Sequence, residues 1–190
     1  MRIRRAALAL AALIVAALPF ALGRDAERML AQVIEAVWRE AERPAPGPET
    51  PADAVRVTDG DTLVIGEERI RLFGIDAPEI SQHCQEGGRD VACGRLARQH
   101  LEELVRGGEG LRCTAEARDR YERTVARCTR SDGVELNRAM VRQGWALAYM
   151  EYGGEAYARD EQRARADRLG LHGMTAERPE EYRRRQRNRD

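Results

Sequence analysis

Residues Val57 to Glu79, reading VTDGDTLVIGEERIRLFGIDAPE, set Asp61, Arg71, Asp76 and Glu79 around two short apolar strand patterns. Asp61 follows the turn signal Asp59-Gly60, Arg71 interrupts the apolar run Ile70, Leu72, Phe73, and Asp76 and Glu79 flank a second turn at Ala77-Pro78. Carboxylates at strand ends beside an arginine supply oxygen ligands for a hard cation, a base for water and a fixed positive charge for a phosphate. That combination suits hydrolysis of a phosphodiester. Attack at phosphorus builds negative charge on the nonbridging oxygens, and a planar, always charged guanidinium meets two of them at once. Arg71 lies on the strand face opposite Ile70 and Leu72, so its side chain can leave the core and enter a surface cleft. Arg123 begins a later strand, beside a turn at Asp119 to Tyr121.

Each of these features has an ordinary structural explanation when taken alone. Asp59-Gly60 is a common hairpin turn, and Asp76-Ala-Pro-Glu79 reads equally well as a turn or a helix cap. A lone Arg123 would be a solvated strand residue, and Tyr149, Trp145 and Ala148 at a helix end would be core. His83, His100 and His172 show no spacing that builds a triad or a metal site. The functional reading rests on co-occurrence.

The elements that must position these residues follow from hydrophobic periodicity. Val55-Arg-Val, Thr62-Leu-Val-Ile and Arg69-Ile-Arg-Leu-Phe predict three short strands, broken at Asp59-Gly60 and at Gly66-Glu-Glu. Residues 90–106 have helical spacing and end at Gly107-Gly108. Leu111 to Ala115 and Thr124 to Thr129 predict a hairpin around Asp119 to Arg123, Leu136 to Gln143 a short helix, and Ala156 to Arg168 another. Five strands with about three helices make an α+β arrangement compatible with a small closed barrel. The C-terminal residues 174–190 form a charged tail, expected to lack structure from Arg183 to Asp190.

Upstream of this domain, MRIRR precedes an uncharged apolar run from Ala6 to Gly23. A basic start followed by an apolar run is the pattern of an export signal, with Ala21-Leu22-Gly23 offering a cleavage site. Eighteen apolar residues from Ala6 to Gly23 also reach the length of an N-terminal membrane anchor, so residues 1–23 read as one or the other. In both cases the arginines stay inside and the remainder faces outward. The expected location is therefore periplasmic or extracellular, or anchored in the inner membrane facing out. Residues 24–43 carry an apolar stripe (Ala26, Met29, Leu30, Val33, Ile34, Val37, Trp38) that predicts an amphipathic helix, and PAPGPETP from Pro44 to Pro51 predicts a stiff linker. The domain proper is expected from residue 54 to 173.

Composition bounds the rest. At 190 residues and 43% hydrophobic, the chain can bury one domain core. All 32 basic residues are arginine and balance 32 acids; without Arg2, Arg4 and Arg5 the remainder has net charge −3. The whole chain is therefore not a polycation. Cys84, Cys93, Cys113 and Cys128 all fall in the proposed domain, and an even count in an exported chain predicts two disulfides. Of three possible pairings, spacing favours Cys84–Cys93 closing a Gly-rich loop and Cys113–Cys128 clamping a hairpin. A metal site using His83, Cys84 and Cys93 is the competing reading, though the spacing does not match structural zinc sites.

Four segments now stand in order: Asp59-Gly-Asp-Thr, Arg71-Leu-Phe-Gly-Ile-Asp-Ala-Pro-Glu79, Asp119-Arg-Tyr-Glu-Arg123 and Leu136 to Tyr149. Together they resemble the staphylococcal nuclease (thermonuclease) family over roughly residues 54–173. The resemblance implies a five-stranded oligonucleotide-binding (OB) barrel with helices, and cleavage of DNA and RNA dependent on one calcium ion. Under it, Asp61 and Asp76 are the calcium carboxylates and Ala77, where the family usually has threonine, gives a backbone carbonyl. Glu79 is the general base, and Arg71 and Arg123 hold the scissile phosphate. Arg120 (often lysine), Tyr121 and Tyr149 line the nucleotide pocket. Glu122 replaces a frequent glycine, and His172 falls where relatives often carry tryptophan. The implied activity is that of an exported endonuclease with little sequence specificity and no protein partner. The alternatives are a non-catalytic OB-fold nucleic-acid-binding module, or an interaction module tethered to the envelope through residues 6–23.

Overall fold

Alternation along two strands decides which side chains reach the site. The computed structural model describes residues 28–35 and 48–189. The chain divides into two units, Met1–Arg43 and Pro44–Asp190. In the first, residues 28–35 are helical, within the predicted amphipathic stripe. The expected export segment, residues 1–23, lies outside the described residues. No described helix is long and apolar enough to cross a membrane.

The second unit is α+β. Its strands are β1 (Glu49–Pro51), β2 (Val55–Asp59), β3 (Thr62–Ile65), β4 (Glu68–Leu72), β5 (Ile75–Asp76), β6 (Cys84–Glu86), β7 (Arg89–Val91), β8 (Gly110–Arg118), β9 (Thr124–Arg130) and β10 (Leu147–Ala148). Its α-helices are α1 (Cys93–Arg106), α2 (Leu136–Arg142), α3 (Ala158–Ala166) and α4 (Pro179–Arg187). One sheet runs β1-β8-β9-β4-β3-β2, with β4 and β9 parallel and its other pairs antiparallel. Among the described residues the order ends at β1 and β2, so this curled half-barrel does not close its hydrogen bonding. The five strands expected from the sequence are present as β2, β3, β4, β8 and β9, but the expected count of five is corrected. Glu49–Pro51, read as linker, pairs with β8 at the edge, where the missing proline N–H is tolerated. Arg112 fixes that edge by donating to Glu49 at 2.8 Å.

Alternate residues of the strands (Val57, Leu63, Ile70, Leu72, Leu111, Ala126, Cys128) point into one core. Helix α1 covers it with Ala97, Leu101 and Val105, and α2 with Leu136, Met140 and Val141. Trp145 packs partly buried against the same core, as expected. Helix α1 begins three residues later than predicted, because residues 89–91 form β7 instead. Gly87 and Gly88 both have positive φ, which is what a two-residue hairpin turn requires. The Cys84–Cys93 disulfide closes this small hairpin and Cys113–Cys128 bridges β8 and β9. Each cross-link should stabilise the fold by about 3 kcal/mol through the loop it closes. The metal reading of the first pair is thereby excluded, and His83 pairs with Asp90 at 2.5 Å.

The tail is not unstructured. Pro179 opens α4, Glu180 and Glu181 occupy its first turn and Arg184, Arg185 and Arg187 its last. That order suits both the proline-first rule and the helix dipole.

Candidate active site

Asp61 is placed by a tight turn between β2 and β3. Register slips between Val57 and Asp59, and the Asp59 carboxylate accepts the Asp61 N–H at 3.0 Å. Gly60 is required here: a Cβ would meet the methyls of Ala77 at 2.7 Å and Ala97 at 2.9 Å. This close approach brings Asp61 against β5. Its Oδ2 accepts the Ala77 N–H at 3.0 Å, and its Oδ1 accepts the Thr62 hydroxyl at 3.1 Å and Arg71 Nη1 at 2.7 Å. Arg71 continues across to Asp76, donating from Nη2 at 2.9 Å, and to the Ile75 carbonyl at 3.3 Å. Both aspartate side chains are 5% exposed and Arg71 is 17% exposed. Burial works against the guanidinium's charge, yet Asp61 and Asp76 raise it above its ordinary value. Burial raises the Asp76 carboxyl; Arg183 and Arg71 oppose the rise, and Asp61 adds to it. Burial, then repulsion from Asp61, pushes the Asp59 carboxyl up to about 7.

Glu79 lies just past β5. Its carbonyl accepts the Gln82 N–H at 2.7 Å, and α1 comes so close that a Cβ on Gly94 would lie 1.7 Å from that oxygen. The Glu79 carboxylate is more open than the aspartates, 37% exposed, and joins them through a residue that sequence reasoning missed. Arg183 of α4 donates to Glu79 at 2.9 Å and grips Asp76 with both terminal nitrogens, at 2.9 and 3.0 Å. Burial opposes the charge of Arg183, but Asp76 and then Glu79 raise it well above the usual value. The available signal was the helix pattern Pro-Glu-Glu followed by clustered arginines, masked by its density of charge.

Arg123, Arg120 and Tyr121 form a second group at the β8–β9 turn. Asp119 organises it, accepting the N–H groups of Tyr121 at 2.9 Å and Arg123 at 3.0 Å, and Arg123 Nε at 2.7 Å. Burial opposes ionisation of Asp119, but these contacts together hold its carboxyl below the ordinary value. Arg120 and Arg123 lie over the Tyr121 ring at 4.9 and 5.5 Å. A cavity of about 540 Å³ opens between Tyr121, Arg123, Arg118 and the Glu67-Glu68-Arg69 turn. Glu122 has φ 60°, which explains why a glycine is at home there. No hydrogen bond or ion pair among the described residues joins this group to Asp61, Asp76 and Glu79. Arg71 pairs with Val125 in the parallel register, and Arg123 lies just before β9.

Tyr149 follows β10, which pairs with β5 so that Leu147 faces Asp76. Burial, then the negative charge of Asp76, raises the Tyr149 hydroxyl above its ordinary value. Its half-buried ring stands 4.7 Å from that of the exposed Tyr152.

The all-oxygen chemistry of Asp61, Asp76, Glu79 and the Ala77 carbonyl fits a hard cation. No described group of three or more His, Cys, Asp or Glu side chains converges as a ready metal cage. Guanidinium nitrogens of Arg71 and Arg183 occupy the facing oxygens of Asp76.

Comparison with known proteins agrees with this architecture. Residues 69–173, more than half the chain, match the profile of the family described as staphylococcal nuclease homologue. The chain is 36% identical over 116 residues to the succinoglycan biosynthesis protein ExoI of Rhizobium meliloti (strain 1021), covering 60% of this chain and 61% of that protein. It is 37% identical over 102 residues to an uncharacterized endonuclease of Escherichia coli O157:H7, covering 52% and 60%. Protein ParB of Escherichia coli is 36% identical over 136 residues, covering 63% and 70%. The match thus spans about three-fifths of the first two relatives' length. On these grounds the chain belongs to the staphylococcal nuclease homologue family.

Proposed function

We propose that the chain is a calcium-dependent nuclease that hydrolyses phosphodiester bonds of DNA and RNA with little sequence preference. The observation that carries this reading is the Asp61–Arg71–Asp76 group, two buried carboxylates fixed on either side of one arginine. Nuclease names among the relatives support it.

Asp61, Asp76 and the Ala77 carbonyl would hold the cation, whose positive charge would polarise a phosphoryl oxygen. Three protein ligands fall short of a shell of about 6–8 oxygens, which suits a catalytic ion sharing its shell with water and substrate. Glu79 is the most open of the three acids and serves as the base that takes a proton from the attacking water. Arg71 is held in place by its two aspartates, which keeps a fixed positive charge beside the phosphate. Arg123, just before β9, supplies the second guanidinium. Removing one fixed donor of this type costs about 10²–10³ in kcat. Tyr121 and the Tyr149–Tyr152 pair offer ring faces to bases, a mode of recognition tolerant of sequence.

Export is part of the proposal: the basic and apolar N-terminal pattern supports it, and so do two disulfides, which persist in oxidising compartments. Incubating the full chain with supercoiled plasmid and with single-stranded RNA tests the activity. Degradation of both is expected with calcium and none with chelator. Intact substrates under both conditions would instead favour a non-catalytic binding module.

A further inference from the structure

The contacts of Arg183 are those a cation would need. It holds both oxygens of Asp76 and one of Glu79, the acids assigned above to the ion and to the attacking water. We propose that Arg183 is a tethered competitor of the divalent cation: α4 keeps the site closed until calcium takes Asp76 from it. The inference rests on the cation-site reading of Asp61, Asp76 and Glu79.

Three observations support exchange in preference to coexistence. The first is charge. Three carboxylates face Arg71 and Arg183, leaving one negative charge in excess. A divalent ion added beside Arg183 would make that excess positive, whereas exchange for Arg183 leaves the group neutral. The second is valence. Arg71 and Arg183 both donate to Oδ1 of Asp76, and Arg183 also takes Oδ2, so each oxygen already has a guanidinium partner.

The third is how the two arginines are mounted. Arg71 sits within β4, paired on both sides by β3 and β9. Arg183 sits on a helix of nine residues, a length that does not hold itself together in water. Helix α4 buries only Pro179 and Tyr182. Beyond Arg183 itself, it is pinned by the Tyr182 hydroxyl at Ser81, 3.0 Å, and by Gln82 donating to the Glu177 carbonyl at 2.7 Å. Taking Asp76 and Glu79 from Arg183 would remove much of what docks it. An element held by so few contacts belongs to the low-stability end of a fold, where local opening occurs.

The test is calcium titration of the full chain by calorimetry, on wild type, Arg183→Gln, Tyr182→Phe and Asp61→Asn. Exchange predicts that Arg183→Gln binds calcium about fivefold or more tightly than wild type. It predicts a smaller gain of the same sign for Tyr182→Phe, which keeps Arg183 and only loosens α4. In wild type, calcium should speed amide hydrogen exchange across Tyr182 to Arg187. Unchanged or weaker calcium binding in Arg183→Gln, with α4 amides unaffected by the ion, would overturn the proposal. Should Arg183→Gln fail to fold, the Tyr182→Phe titration and the wild-type exchange decide the matter. Asp61→Asn separates the two levels of the argument. If it binds calcium like wild type, the cation-site reading fails; if it loses calcium while Arg183→Gln matches wild type, only the exchange fails.

Discussion

Arg71 and Arg123 are almost equally exposed, at 17% and 18%, yet their surroundings differ. Arg71 lies inside a sheet between two aspartates that are each 5% exposed. Arg123 lies at a turn against one aspartate that is 20% exposed, with a tyrosine ring beside it. The first arginine is part of the fold and the second is attached to it. Removing Arg71 leaves buried Asp61 without a cation and Asp76 with Arg183 alone, whereas removing Arg123 leaves one carboxylate that water can reach.

A pair of alanine variants tests this difference most strongly. Arg71→Ala should lower plasmid cleavage by about 10³ and destabilise the chain by about 3 kcal/mol, the cost of breaking a buried pair. Arg123→Ala should lower cleavage by about 10²–10³ with a stability loss of about 1 kcal/mol or less. Urea titration and steady-state rates read both effects, and equal stability losses would erase the distinction drawn here. The turn's own brace comes next. Changing Cys113 and Cys128 together to alanine should cost about 3 kcal/mol by the same titration, since the bond spans 15 residues.

A third effect concerns pH on the Arg71 side. Asp59 in the fold keeps its proton to about pH 7, whereas the unfolded chain releases it near the ordinary 3.8. Between those values the folded state binds more protons, so this contribution to stability falls as pH rises through the window. Melting temperatures of Asp59→Asn in chelator should therefore vary less between pH 4 and 7 than those of wild type. The smallest effect lies on the Arg123 side: Glu122→Gly should raise stability by under about 1 kcal/mol, by relieving a left-handed φ of 60°.

The same contrast explains what the sequence made legible. Asp61, Arg71 and Asp76 lie within sixteen residues on strands with clear alternation, and turn chemistry at Asp59-Gly60 fixes their relation. The disulfides were readable because residues 113 and 128 sit opposite each other across one hairpin. Local pattern carried no comparable signal for β1, a three-residue edge containing proline, or for the β6–β7 hairpin, where the glycine pair read as loop. Least legible was Arg183. It meets Asp76 from 107 residues away, in a segment whose charge resembled a solvated tail. Its helix is held by tertiary contacts, and these leave no periodic trace in nine residues of which six are charged.

Single-turnover cleavage of plasmid by Glu79→Gln, at saturating calcium, tests the central claim most directly. A positioned base predicts a rate about 10²–10⁴-fold below wild type, with the variant still folded and still binding the ion. Cleavage at the wild-type rate would contradict the assignment of these carboxylates to the chemistry.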